Sequence, residues 1–159
     1  VTFRPASLDD IDIVGSISSA AHFARSNIEG YWDFSTPERR AVMSKRLREG
    51  DSPEIVPEAS LLLLFNNEPV GACDVISMTN IWGFDKLAWI MDVTIHPQFQ
   101  GLGLGRQLVE RVMYETGILG FPAIGLGVTL SNTSALKLYE KLGYTYFDFF
   151  IELFYPSSF

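Results

Sequence analysis

The sequence predicts a layered α/β fold built on a mixed sheet. Apolar runs bounded by turn-forming residues alternate with segments that start at helix-capping residues, in the order β-α-α-β-β-β-α-β-α-β. The chain has 159 residues, of which 47% are hydrophobic and 19% charged, enough to bury one sizeable core. No internal repeat, low-complexity tract or long linker divides it, so we expect residues 1–159 to form one domain.

The first third of the chain predicts a strand and two helices. Thr2–Pro5 has the character of a short extended segment. Ser7 caps a helix that is expected to reach about Phe23. Pro37, in a first helical turn, starts a second helix that is expected to end at Arg48.

The middle third predicts three strands. Apolar runs at Ala59–Phe65 and Val70–Met78 flank the turn formers Asn66–Pro69, a pattern typical of an antiparallel hairpin. A further turn is expected at Asn80–Lys86. The strand Leu87–Ile95 follows it and ends before a His-Pro dipeptide.

The last third predicts two helices and two strands. A glycine-rich stretch leads into a helix that ends near Gly117 or Gly120. The run Pro122–Leu130 is expected to be a buried strand. A helix closed by Gly143 and a last strand, Tyr144–Phe154, complete the pattern.

Charge and hydropathy exclude several classes of partner. Twelve basic and nineteen acidic residues give a net charge of −7, which disfavours nucleic acid and favours a cationic acceptor. The longest apolar run, Leu61–Phe65, is far shorter than the roughly 20 residues of a membrane-spanning helix, so no membrane partner is expected. The first residues also lack the basic and apolar segments of an export signal.

Cysteine and histidine are scarce. Cys73 is the only cysteine, which excludes an intrachain disulfide and makes a reducing cytoplasm the expected location. The two histidines, His22 and His96, lie far apart in sequence and have no companion cysteine. We therefore expect no metal site.

The stretch Ile95–Arg106, IHPQFQGLGLGR, joins a strand to a helix. Its alternate glycines allow a ligand to approach the backbone, and unpaired N–H groups at a helix start favour an anion. Leu102 and Leu104 can anchor the loop, and Arg106 adds a cation. A pyrophosphate is a reasonable ligand, although a tight turn with packed leucines gives the same pattern. The Gly-Lys-Ser/Thr sequence of a P-loop does not follow.

The glycine-rich stretch and a second motif downstream together make the chain resemble the GNAT superfamily of N-acetyltransferases. The family's loop, Gln/Arg-x-x-Gly-x-Gly/Ala, is similar to Gln100–Gly105. Its downstream helix, Asn-x-x-Ala-x-x-x-Tyr-x-Lys-x-Gly-Phe, is similar to Asn132–Tyr144. The resemblance is clear over Trp89–Tyr146 and looser elsewhere.

The resemblance implies a fold and a cosubstrate. The fold would be a mostly antiparallel sheet of about six strands, flanked by helices on both faces. The cosubstrate would be acetyl-CoA, with its pantetheine arm paired to a strand and its pyrophosphate held by the loop amides. The implied cofactor residues are Val93, Thr94, Ile95, Gln100, Gly101, Leu102, Gly103, Leu104, Gly105, Arg106 and Asn132.

The implied reaction is aminolysis of a thioester, which needs a neutral amine, donors for an oxyanion and a proton for the leaving thiolate. Tyr139, at the thiol end by resemblance, can supply that proton, although a packed aromatic is the plainer interpretation. The general base is not assigned by resemblance, because the positions where many relatives carry glutamate hold Trp89 and Gly127.

Asp92 is the best local candidate for the base, because a carboxylate in an otherwise apolar strand needs a reason to be there. A carboxylate satisfied by backbone or by a basic partner remains an alternative. Asp74 and His96 are further alternatives, and ordered water could also carry the proton away.

The acceptor site is expected near residues 26–34. Tyr31, Trp32 and Asp33 combine aromatic rings with a carboxylate, which suits an amine, although a loop covering the core has the same composition. The favoured function is transfer of an acetyl group from acetyl-CoA to a primary amine by direct attack in a ternary complex. A non-catalytic CoA-binding module and a nucleotide-binding domain of another class are the alternatives. A homodimer could form through the last strand.

Overall fold

The computed structural model describes residues 1–23, 36–50 and 53–146. The described residues form one sheet and four α-helices. The strands are β1 (Thr2–Pro5), β2 (Glu54–Ile55), β3 (Leu61–Phe65), β4 (Glu68–Ile81), β5 (Phe84–Ile95) and β6 (Ile124–Leu126). The helices are α1 (Ile11–Phe23), α2 (Pro37–Arg48), α3 (Leu104–Ile118) and α4 (Thr133–Lys141).

The sheet is mostly antiparallel, as predicted. Its main path runs β1-β3-β4-β5-β6, and β2 pairs with β4 beside that path. Every pair is antiparallel except β5 with β6. β2 was not predicted, because two residues are too few to produce a periodic signal.

Two tight turns shape the central strands. Asn66 and Asn67 have positive φ angles of 51° and 67°, which asparagine tolerates better than most residues, and they close the predicted β3–β4 hairpin. The expected turn at Asn80–Lys86 is wrong in extent, because β4 and β5 stay paired up to Ile81 and Phe84. The turn is confined to Trp82 and Gly83.

The helices cover both faces of the sheet, because neighbouring leucines of β3 point to opposite sides. Leu61 and Leu63 pack in a core that includes Leu108 of α3, whereas Leu62 packs with Ile17 of α1. All of these side chains are at most 2% exposed. In the part of the chain that the structure describes, no helix is long and apolar enough to cross a membrane.

Helices α1 and α2 lie side by side on one face. A Cβ atom at Gly15 of α1 would lie 2.6 Å from the Pro37 carbonyl oxygen, so the close approach requires glycine there. This contact holds α2 over the sheet and brings Arg40 and Arg48 to the face that α1 covers.

The C-terminal third departs from the predicted pattern. The strand expected at Pro122–Leu130 is only Ile124–Leu126, and it is half-buried rather than buried. Its length is set by β5, which pairs with it only from Ala88 to Ile90. The last strand was expected at Tyr144–Phe154; residues 144–146 are not in a strand, and the remainder lies outside the described residues.

Candidate active site

A β-bulge determines which way Asp92 faces. Asp74 of β4 pairs with Asp92 of β5, but the next residue, Val75, pairs with Ile90, so Met91 is an extra residue. Side chains of a strand alternate between faces, and one extra residue reverses the alternation. Ile90 therefore packs in the α3-side core, whereas Asp92 contacts α1.

A cleft opens where β5 and β6 stop pairing. The last parallel pair is Ile90 with Leu126, and beyond it residues 91–93 and 127–129 form two walls of a cavity of about 170 Å³. Helices α1, α2 and α4 also contribute side chains. The polar residues of the lining include His22, Arg40, Asp92, Asn132 and Tyr139.

Asp92 is the centre of a polar network in this cleft. Ser18 Oγ donates a hydrogen bond to Asp92 Oδ2 at 2.5 Å, and His22 Nε2 lies 3.0 Å from Asp92 Oδ1. Arg40 Nη1 lies 3.7 Å from Oδ2. Burial raises the pKa of Asp92, but the hydrogen bonds and charges from His22, Ser18 and Arg40 outweigh it, so the pKa lies below its usual value.

Helix α4 places Tyr139 and Asn132 at the cleft. Tyr139 is 9% exposed, and its ring centroid lies 5.6 Å from that of Tyr144. Asn132 Oδ1 accepts a hydrogen bond from the Ala135 backbone N–H at 3.3 Å, so its side chain also caps the helix. Burial raises the pKa of Tyr144, whose hydroxyl is buried without a hydrogen-bond partner.

The end of β5 leaves one backbone edge available. Ile95, Thr94 and Val93 pair with Gly71, Ala72 and Cys73 of β4 on one side. On the other side, β6 has already separated, and among the described residues no strand pairs with this edge. Backbone groups at such an edge can pair with an extended ligand, as an added strand would.

The glycine loop follows directly. Gln100 Nε2 donates to the Ile95 carbonyl oxygen at 2.9 Å, which fixes the loop to the end of β5. Leu104 is 2% exposed and anchors the loop as expected, whereas Leu102 is 58% exposed, so its predicted anchoring role is wrong. Arg106 Nε donates to Glu110 Oε1 at 2.8 Å, an exposed pair one turn along α3.

The residues at the start of α3 fit a diphosphate. The first helical hydrogen bond runs from Gln107 N to Gly103 O at 3.2 Å, so the amides of residues 104–106 precede it and have no partner within the helix. Gly103 is the N-cap, with φ +76°, and no side chain caps the helix. A Cβ there would meet nothing within 4 Å, so the approach to these amides is open.

The sequence profile described as the acetyltransferase (GNAT) family matches residues 23–144, more than half of the chain. The chain belongs to this GNAT family. The splayed β5–β6 pair, the glycine loop and the α4 tyrosine all lie within the matched region.

Two curated relatives are similar to segments of this GNAT protein. Mycothiol acetyltransferase of Thermomonospora curvata is 43% identical over 61 residues, which cover 38% of this chain and 20% of that protein. The ribosomal protein bS18-alanine N-acetyltransferase of Salmonella typhimurium is 39% identical over 57 residues, 36% of this chain and 38% of that protein. The matches thus span well under half of either relative.

Two solved structures share the fold over almost the whole chain. A transcriptional regulator from Bacillus halodurans has a TM-score of 0.72 at 21% identity, covering 98% of this chain and 99% of that one. A protein from Clostridium acetobutylicum, described as a predicted acetyltransferase with acetyl-CoA, has a TM-score of 0.68 at 18% identity, covering 96% of this chain and 94% of that one.

The other sequence-predicted bases of this GNAT protein do not line the cleft. Asp74 Oδ1 accepts a hydrogen bond from Arg48 Nη2 at 2.7 Å. His96 lies at the end of β5 with Nδ1 buried and unpartnered, and its ring packs against Phe99. The predicted acceptor residues Tyr31, Trp32 and Asp33 lie outside the described residues.

Sequence reasoning missed Ser18, His22 and Arg40, which all contact Asp92. Of these, His22 has a partial signal in the sequence. It was assessed only as a metal ligand, and no family motif includes it. The one available signal is its spacing from Ser18, because residues four apart share a helix face and both are polar among the apolar positions of α1. Across the described residues, no group of three His, Cys, Asp or Glu side chains is placed to hold a metal ion.

Proposed function

We propose that this protein is an N-acetyltransferase that moves an acetyl group from acetyl-CoA to a primary amine of a small molecule or peptide, by direct attack in a ternary complex. One observation carries the proposal: the cleft where β5 and β6 separate contains titratable side chains and borders the free edge of β5, and the glycine loop follows at the end of that strand. We assign this function to one domain spanning residues 1–159.

The cosubstrate is assigned to the β5 edge and the start of α3. Acetyl-CoA supplies a thioester carbonyl that an amine can attack. The backbone of Val93–Ile95 binds the pantetheine arm, and the amides of Gly101–Arg106 bind the pyrophosphate, with Gln100 fixing the loop. Asn132, in the cleft lining, contacts the pantetheine.

Two groups in the cleft are assigned to proton transfer. Tyr139 gives a proton to the departing sulfur, because a phenol is a donor at neutral pH and this one lies in the lining. Asp92, in the same lining, is assigned to the deprotonation of the amine and acts with His22, which lies 3.0 Å from its Oδ1.

The acceptor is a primary amine with cationic character, which the net charge of −7 favours over an anionic molecule. Tyr31, Trp32 and Asp33 are proposed to bind it. The name of one relative specifies an alanine of ribosomal protein bS18, which places protein N-termini among the amines to test. We propose a cytoplasmic location, which the single cysteine favours, and a homodimer through the last strand stays a prediction.

A thiol-release screen tests the function. The protein is incubated with acetyl-CoA and a panel of polyamines, amino acids, aminoglycosides and peptide N-termini, while free thiol is followed. We expect at least one amine to raise thiol release about tenfold or more above the rate without acceptor. In Tyr139→Phe, kcat should fall while the affinity for CoA is kept.

The non-catalytic module makes a different prediction. It would bind CoA tightly and release no acceptor-dependent thiol with any amine of the panel, which would overturn the enzyme proposal. Preferential binding of ATP or NAD in competition with CoA would instead indicate a nucleotide-binding domain of another class.

A further inference from the structure

His22 and Asp92 form a pair inside the cleft that joins α1 to β5. His22 Nε2 lies 3.0 Å from Asp92 Oδ1, and the two side chains are 19% and 24% exposed. Both line the cleft on which the proposed function rests. The pair is therefore sheltered from bulk water but open to a ligand.

The surroundings of Asp92 make it a poor proton acceptor. Its second oxygen, Oδ2, accepts the Ser18 hydroxyl at 2.5 Å and lies 3.7 Å from the Arg40 guanidinium. Both contacts favour the ionised carboxylate, and the pKa of Asp92 lies below its usual value despite burial. A carboxylate held in this way orients its neighbour rather than taking up a proton at neutral pH.

The imidazole of His22 is better suited than Asp92 to accept a proton at neutral pH. When Asp92 accepts the Nε2 hydrogen, the lone pair of the neutral ring is on Nδ1. The adjacent carboxylate then stabilises the imidazolium that forms after proton uptake. Imidazole is also the side chain whose ordinary titration falls between about pH 5 and 8, where an acceptor can exchange protons readily.

Other charged groups surround the pair from each neighbouring element. Arg40 of α2 opposes a positive charge on the ring, whereas Asp74 of β4, opposite Asp92, favours it. Arg48 partly neutralises Asp74. Tyr139 of α4 lies in the same cleft and is the proposed donor to sulfur.

We infer that His22 accepts the proton of the attacking amine and that Asp92 is a positioning residue that holds the imidazole in the required tautomer. This inference deepens the proposed function and rests on it. The amine nitrogen forms the new C–N bond, the C–S bond breaks with its electron pair going to sulfur, and the nitrogen's proton passes to His22 Nδ1, directly or through a water. Tyr139 protonates the sulfur and regains a proton from solvent, and the imidazolium of His22 releases its proton to solvent.

The pH dependence of kcat/KM separates His22 from Asp92 as the base. In the wild type we expect activity to rise with pH through one inflection. His22→Gln should lose this inflection and about 10²–10⁴-fold in kcat, with little change in KM for acetyl-CoA. Free imidazole should restore part of the activity of His22→Ala, which a merely structural role would not allow.

Asp92→Asn gives the complementary result. It should keep the inflection but lower kcat, because an amide does not hold the imidazole in the required tautomer as the carboxylate does. His96→Gln, which changes the only other histidine, should keep the inflection at its wild-type pH.

Three outcomes overturn the inference. The first is wild-type kcat and an unchanged inflection in His22→Gln. The second is loss of the inflection in Asp92→Asn with retention in His22→Gln, which would make Asp92 the base. The third is the absence of amine-dependent thiol release in the wild type, which would also overturn the proposed function; in the first two cases the proposed function stands.

Discussion

Asp74 and Asp92 lie directly opposite each other on β4 and β5, with both carboxylates on the face that α1 and α2 cover. Like charges in such a cross-strand pair destabilise a sheet unless each has its own partner. Asp74 is bound by Arg48 at 2.7 Å, and Asp92 by Ser18, His22 and Arg40. Asp74 is therefore part of a structural ion pair, whereas Asp92 is part of the cleft.

The first prediction concerns the structural pair. Arg48→Met removes the charged partner of Asp74, whose pKa burial already raises, and should lower the free energy of unfolding by about 3–5 kcal/mol, measured by urea denaturation. A carboxyl with a raised pKa stabilises the fold at low pH and loses that contribution as pH rises. The loss in Arg48→Met should therefore be larger at pH 8 than at pH 5.

The double variant Arg48→Met with Asp74→Asn is the control, because it removes the unpaired charge and should recover part of the stability. A loss that is the same at both pH values, or no recovery in the double variant, would contradict this account of the pair.

The second prediction concerns acid stability. The Arg4 guanidinium, and then Ser7, lower the pKa of Asp10 against the effect of burial. Its stabilising contribution is therefore present above the unfolded carboxyl pKa of about 3.9 and lost as pH falls further. Asp10→Asn should lower the free energy of unfolding by about 1–2 kcal/mol at pH 7, and this gap should shrink toward pH 3.

Unfolding at pH 7, 5 and 3 measures the gap. Asp9→Asn changes an exposed carboxylate in the same short helical turn, is the matched control and should leave the free energy of unfolding at pH 7 close to that of the wild type. An Asp10→Asn gap of equal size at pH 3 and pH 7 would count against the ion pair as its cause.

The third prediction concerns the glycine loop. Gly103 has φ +76°, and alanine there costs about 1–2 kcal/mol of backbone strain. Relief of that strain would rotate the first amides of α3, so Gly103→Ala should weaken CoA binding about tenfold by calorimetry.

Gly120→Ala is the matched control for the loop. Gly120 follows the other end of α3, has φ +77°, and, like Gly103, has open space where a Cβ would lie. It should lose similar stability and keep its CoA affinity. Equal weakening of CoA binding in both variants would show that the effect is general destabilisation.

The fourth prediction concerns the contact between α1 and α2. In Gly15→Ala the added Cβ would lie 2.6 Å from the Pro37 carbonyl oxygen and 2.8 Å from the Ala41 nitrogen, both backbone atoms that cannot move cheaply. We expect a loss of about 1–3 kcal/mol in the free energy of unfolding.

Gly117→Ala provides the comparison, since Gly117 is also helical but has nothing within 4 Å of a new Cβ. That variant should gain about 0.5–1 kcal/mol, because alanine favours a helix more than glycine does. A Gly15→Ala protein as stable as Gly117→Ala would contradict the close helix contact.

Structural features that depend only on residues close together in the sequence were predictable from it. Pro37 in a first turn, the Asn66–Asn67 pair and the alternate glycines each restrict the backbone locally, and the structure places α2, the β3–β4 hairpin and the α3 start accordingly. The length of β6 was not predictable, because it depends on where β5 stops pairing with it. The β5 bulge is a property of the register between two strands and has no local signal.

The sequence by itself determined the family, the order of the main elements and the position of the glycine loop, because motifs and turn residues act over a few positions. It also singled out Asp92, because the presence of a carboxylate in an otherwise apolar strand requires a structural or functional explanation. Only the tertiary structure decided that Asp92 faces α1 and contacts Ser18 and His22, which lie 74 and 70 residues away in the chain. One extra residue at the bulge and a glycine contact between helices produce that juxtaposition, and neither can be inferred from local propensity.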